Sequence, residues 1–177
     1  MKQNNKMRTK DITYIALGIA ALICGGIAIY QVSSFVAIPG VKYILLAPYL
    51  SMIMYVLISK IKVKHSVFVI GVPFGLIMVL INVFMMVAII MTSFLTEVSL
   101  VAVRKPEKRA VMGAIFFSGY TGLSSLLISK YAIGGIFEQI PLNWILYTTT
   151  MCIIFGIVGA LMGRKILRYI NRYHDLQ

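Results

Sequence analysis

Long uncharged apolar runs alternate with short basic clusters along this chain, and that alternation predicts its elements. Fifteen of the seventeen Lys and Arg residues fall in four groups: Lys2/Lys6/Arg8/Lys10, Lys60/Lys62/Lys64, Arg104/Lys105/Lys108/Arg109 and Arg164/Lys165/Arg168/Arg172. Only Lys42 and Lys130 lie elsewhere. A helix crossing a hydrocarbon core of about 30 Å needs roughly 20 apolar residues. The runs 12–30, 43–59, 110–129 and 143–163 each meet that need. The stretch 66–103 is longer and holds one charge, Glu97. As a single helix it would measure about 57 Å at ~1.5 Å per residue, nearly twice the core thickness. It is therefore expected to fold back near Asn82, giving helices over 66–82 and 84–103.

Charge decides the topology. Cytoplasmic loops collect Lys and Arg, so the four clusters belong on one side. Five helices would separate the N-terminus from the Arg164–Arg172 group; six bring all four clusters together and leave Lys42 and Lys130 outside. The expectation is one all-α integral membrane domain over 1–177, with six transmembrane helices, both termini cytoplasmic, and multi-pass residence in the plasma membrane. Composition agrees: 60% of the 177 residues are apolar and 12% charged, against about 25% in soluble domains. A net charge of +12 suits a nucleic-acid binder only when the basic residues share an exposed face; here they bracket apolar spans. Nucleic acid is not an expected partner.

Catalytic chemistry is scarce. The two histidines, His65 and His174, lie in basic segments, and the five acids are scattered singly at Asp11, Glu97, Glu107, Glu138 and Asp175. No carboxylate pair, Ser/His/Asp set or metal-type Cys pair is spaced for work, and no G-x-x-x-x-G-K-[ST] phosphate loop is present. No enzyme, metal or cofactor is expected. Glu97, about 10 Å from the inner end of its helix, is the one ionisable residue within a span, and a structural bond to a neighbouring helix or to an inner basic residue is the favoured role.

Two loops on the outer side are longer, 31–42 and 130–142, and mix aromatic with hydrogen-bonding residues. Loops of that kind held over a bundle are where binding concentrates. The candidate substrate-binding residues are Tyr30, Gln31, Phe35, Lys42, Tyr43, Asn82, Tyr120, Lys130, Tyr131, Glu138, Gln139, Asn143, Trp144 and Tyr147, with Phe84, Met85 and Met86 as an apolar wall. Any one Tyr or Trp among them also fits an interfacial anchor. The first helix carries small residues on two nearly opposite faces: Ala16 and Ala20 on one, Gly18, Ala21, Gly25 and Ala28 on the other. Small residues let membrane helices approach closely, so one face is expected inside the bundle and the other against a partner.

A chain of this length with Met-Arg-Thr-Lys-Asp leading into Ala16-x-x-x-Ala20 resembles the substrate-binding S components of energy-coupling factor (ECF) transporters. LISKIKVKHSVFVIGVPFGLIMVL (57–80) and IVGALMGRKILRYINRYH (157–174) are similar to the Trep_Strep group of that family. The resemblance implies an importer subunit that captures a vitamin-like micronutrient outside, docks through Ala16 and Ala20 on a shared transmembrane coupling subunit, and tips in the bilayer powered by two partner ATPases. A stand-alone secondary carrier or channel, and a non-transport scaffold, are the alternatives.

Overall fold

Several helix boundaries are set by a particular residue. The computed structural model describes residues 9–33, 35–36, 38–61, 63 and 65–174, without the side chains of 136, 171, 173 and 174. The expectations placed on Lys2, Lys6, Met7, Arg8, Lys62, Lys64 and Asp175 fall outside these. All the regular structure described is helical. The order is α1 (Thr9–Ser33), α2 (Val41–Lys60), α3 (Ser66–Met78), α4 (Val83–Ser99), α5 (Pro106–Ile128) and α6 (Leu142–His174). Between α5 and α6 lie a π-helical turn, Ser129–Ile133, and a 3-10 turn, Gly135–Gln139.

Gly40, at φ 95°, turns the chain into α2, a left-handed conformation that glycine adopts without a Cβ clash. His65 takes the same region at φ 62° ahead of α3. Asn82 caps α4 by accepting a bond from the Phe84 N–H at 2.8 Å. Pro106 opens α5, where its missing N–H costs no helical bond.

Four helices are long and apolar enough to cross a membrane: α1, α2, α5 with its π-helical continuation, and α6. Their outward surfaces are lined by exposed Leu, Ile, Val and Phe, so this is a membrane-embedded helical protein. The 66–103 stretch does fold back, at Asn82 as expected, but its arms are shorter than the expected 66–82 and 84–103. α3 has 13 residues and α4 has 17, or about 20 and 26 Å at ~1.5 Å per residue. The physical reason is local: the Asn82 cap needs an extended residue, so 79–82 become a turn, and residues 100–103 unwind before Pro106. Conversely α6 has 33 residues and continues for a further eleven beyond Gly163.

The core is a three-helix unit of α2, α5 and α6, with α1 packed on α2 and the α3–α4 hairpin packed through α4 on α5. Backbones come closest where α6 crosses α2. A Cβ on Gly159 would overlap the Pro48 carbonyl, and one on Gly163 would stand 2.7 Å from the Met52 carbonyl. Ser51 of α2 donates to the Gly156 carbonyl at 2.6 Å in the same seam. Gly71 of α3 gives Ser93 of α4 similar room. The small residues of α1 divide by face: Gly18 packs against Leu57 and Gly25 against Tyr49, while Ala16 and Ala20 remain exposed. The Tyr49 hydroxyl fixes this contact by donating to the Ala21 carbonyl.

Replacing Gly159 with Ala is expected to lower stability by about 1–3 kcal/mol through overpacking. Gly26, around which a Cβ meets nothing within 4 Å, gives the control: Gly26→Ala should be neutral or stabilising by up to ~1 kcal/mol. Unfolding in detergent, followed by heating, checks the opposite signs.

Candidate functional site

The two ends of the bundle differ in chemistry. The loop end carries the described residues of the α1–α2 connection and residues 129–142; the basic end carries Lys60, the α4–α5 link and the extension of α6.

At the loop end, Lys42 brings together three of the expected residues. Its ammonium nitrogen lies 4.9 Å from the centre of the Tyr30 ring, 5.4 Å from that of Tyr43, and 3.4 Å from the Tyr30 hydroxyl. A cation over ring faces is held by their negative π-surfaces. Trp144 stacks on Tyr147 with ring centres 5.5 Å apart, and its indole N–H donates to the Pro39 carbonyl at 2.8 Å. That bond ties the α1–α2 connection to α6. Lys130 donates to the Ile140 carbonyl at 2.6 Å, closing the α5–α6 connection on itself. Both loop-end lysines therefore already hold protein groups.

The other candidates are dispersed. Phe35 is 91% exposed and Tyr131 77%, and Gln31, Glu138, Gln139 and Asn143 also face outward. Asn82 serves as the α4 cap. Tyr120 points back along α5, so that its hydroxyl lies 2.8 Å from Ser99 Oγ on α4, and its carbonyl accepts a bond from Thr92 at 3.2 Å. Phe84 and Met85 are exposed beside the hairpin tip. Sequence reasoning passed over two fully buried hydroxyls at this end, Ser124 and Thr148, neither with a hydrogen-bond partner among the described residues. Nothing in the sequence marks them, since Ser and Thr are frequent along these helices.

At the basic end Glu97 gathers three elements. Arg109, on the first turn of α5, donates through Nη2 to Glu97 Oε1 and through Nη1 to the Leu100 carbonyl at 3.4 Å. His65 Nδ1 lies 3.1 Å from the same carboxylate oxygen. Glu97 Oε2 is buried without a partner among the described residues. Beside the cluster is a cavity of about 270 Å³ walled by Phe68, Phe94, Val98 and Val101 with His65 and Glu97. The inner basic partner anticipated for Glu97 is thus Arg109, and the contact joins α4 to α5 and to the start of α3.

A second cavity, about 520 Å³, runs between α1 and α3. Ala16 and Ala20 line it with Ile12, Ile15, Ile19 and Ile23 of α1, facing Val69, Pro73 and Ile77 of α3. α1 and α3 barely touch, so the groove is open along its length. Its walls are almost wholly apolar.

The Glu97 junction generates an asymmetric prediction. Arg109 retains access to water (23% exposed) and Glu97 has little (10%). Arg109→Met strands a buried carboxylate and is expected to cost on the order of 3 kcal/mol; Glu97→Gln should cost less, because Arg109 can turn to solvent. The double variant should recover part of the Arg109→Met loss, and denaturant unfolding of all three checks the order. Set against protein-family models, curated proteins and solved structures, the chain matches none of them.

Proposed function

We propose that this chain is the substrate-capture subunit of an ECF-type ATP-driven importer of a vitamin-like micronutrient, seated in the plasma membrane. Six helices cross the bilayer with both termini and the basic end in the cytoplasm, as the clustering of Lys and Arg favours. In that arrangement α3 and α4 are short for a crossing, and local thinning of the bilayer around the exposed Leu80 and Ile81 of the hairpin tip makes up the mismatch. The loop end then faces outward and receives the substrate.

The observation that carries the reading is the division of α1. Gly18 and Gly25 are consumed by packing on α2, whereas Ala16 and Ala20 stay open on the floor of an apolar groove. A helix of a coupling subunit fits such a groove, because small residues permit the close contact that replaces hydrophobic driving force in lipid. Division of labour supports it too: the sequence holds no phosphate loop, so ATP hydrolysis falls to partner subunits. α3 runs unbroken through Pro73, which removes the interrupted helix that a stand-alone carrier is expected to use at midplane.

Co-expression with an ECF coupling subunit and its two ATPases tests the proposal, with co-purification as the readout. Ala16→Leu with Ala20→Leu should cut recovered coupling subunit roughly tenfold or more, equivalent to at least ~1.4 kcal/mol. The monomer should remain folded, since both side chains are exposed. Assembly that survives the double variant removes the docking role; absence of any assembly with the unaltered chain removes the importer reading.

A further inference from the structure

One face of α6 changes character at a single residue. At about 100° per residue, positions 154, 157, 161, 164, 168 and 172 fall within an arc of roughly 80°. They read Ile154, Ile157 and Leu161, then Arg164, Arg168 and Arg172, with Lys165 at the edge of the same arc. All of these side chains are exposed. Gly159 and Gly163, which let α2 approach, stand on the opposite side of the helix, and Leu167 packs the extension onto the core cluster. The face therefore points away from the bundle along its whole length.

Helix length sets the depth of that change. From Leu142 to Gly163, α6 rises about 33 Å at ~1.5 Å per residue, close to the ~30 Å of a hydrocarbon core. Arg164 and Lys165 thus stand where the core ends. Arg168 lies about 6 Å further along, within a headgroup layer roughly 5–7 Å deep, and Arg172 about 12 Å along, beyond it. The helix continues unbroken through Gly163, so these residues occupy fixed rungs. None of the four pairs with a carboxylate among the described residues, unlike Arg109, which Glu97 holds. Their charge is left for a group outside the chain.

We propose that this face of α6 holds an anionic phospholipid, with an acyl chain along Ile154, Ile157 and Leu161 and the phosphate at Arg164 and Arg168. A guanidinium offers paired N–H donors that match phosphate oxygens, and hydrogen bonds between ionised groups are the strong ones. Arg164 and Arg168 lie about one turn apart, so both reach a single headgroup. A zwitterionic headgroup brings its own cation, which the unpaired basic residues repel; they select net negative charge. Free phosphate meets the arginines alone, whereas a lipid also covers the apolar length of the face. The site requires only that α6 crosses a membrane, so it stands or falls apart from the importer reading.

Native mass spectrometry of the purified full chain tests this, by titration in detergent with dioleoyl phosphatidylglycerol or dioleoyl phosphatidylcholine. The unaltered chain should hold phosphatidylglycerol roughly tenfold or more tighter than phosphatidylcholine, and Arg164→Gln with Arg168→Gln should abolish that preference. Arg172→Gln, beyond the phosphate layer, should weaken it by less than about threefold. Lys105→Gln with Lys108→Gln removes the same charge from the same end of the bundle and should leave phosphatidylglycerol binding within about twofold. Inorganic phosphate at the lipid's concentration should not displace it. All the substituted side chains are exposed, so an unchanged unfolding temperature confirms that each variant is folded. Equal binding of the two lipids overturns the anionic ligand. An equal loss in the Lys105/Lys108 variant reduces the effect to net charge and overturns the site, and an equal loss in Arg172→Gln overturns its depth. Preference retained without Arg164 and Arg168 also overturns the site and leaves the face to an acidic protein surface. Displacement by inorganic phosphate overturns the lipid as occupant.

Discussion

Where α6 crosses α2, main chain meets main chain, and the other contacts of the bundle are arranged around that seam. Gly159 and Gly163 leave no side chain between the helices, so Pro48 and Met52 of α2 lie directly on α6, and Ser51 reaches the Gly156 carbonyl. In lipid, apolar side chains gain little by leaving a solvent that resembles them; dispersion contacts and buried hydrogen bonds hold helices instead. Close approach maximises the first, and the Ser51 bond to the Gly156 carbonyl supplies the second. With α2 and α6 locked, α5 fills their shared groove through Gly119, Gly122 and Ser118, the last donating to the Cys152 carbonyl at 3.2 Å.

From this unit outward, packing loosens in two directions. α1 attaches to α2 along one face only, which leaves Ala16 and Ala20 over a groove that α3 does not fill. The α3–α4 hairpin attaches through α4, and at the basic end the Glu97–Arg109–His65 cluster pins it to α5. A partner helix entering the α1–α3 groove would thus meet the least constrained elements of the protein, while the three-helix unit beneath the loop end stays fixed.

The loop end combines closure with weak fastening. Trp144 to Pro39 and Lys130 to Ile140 are side chain to main chain bonds across short connections, each replaceable by water or by another donor. Toward the same end, Ser124 and Thr148 are buried hydroxyls without partners among the described residues.

Apolar run length, charge placement and helical spacing by themselves determined the membrane-embedded helical class, the fold-back of 66–103 at Asn82 and the two-faced nature of α1, and left Glu97 a choice between a neighbouring helix and a basic residue. These follow from local rules: charge stays out of hydrocarbon, Asn caps helices, and a helix repeats every 3.6 residues. The aromatic residues around Lys42 were legible as candidates because Tyr30 closes α1 and Tyr43 opens α2 on either side of one connection. Only the tertiary structure decided how short α3 and α4 are, that Tyr120 turns toward Ser99, that both loop-end lysines are occupied, and that Ser124 and Thr148 are buried. Those facts depend on which helices cross, at what register and how closely, and pairing between distant segments leaves no period or spacing in a single chain to read.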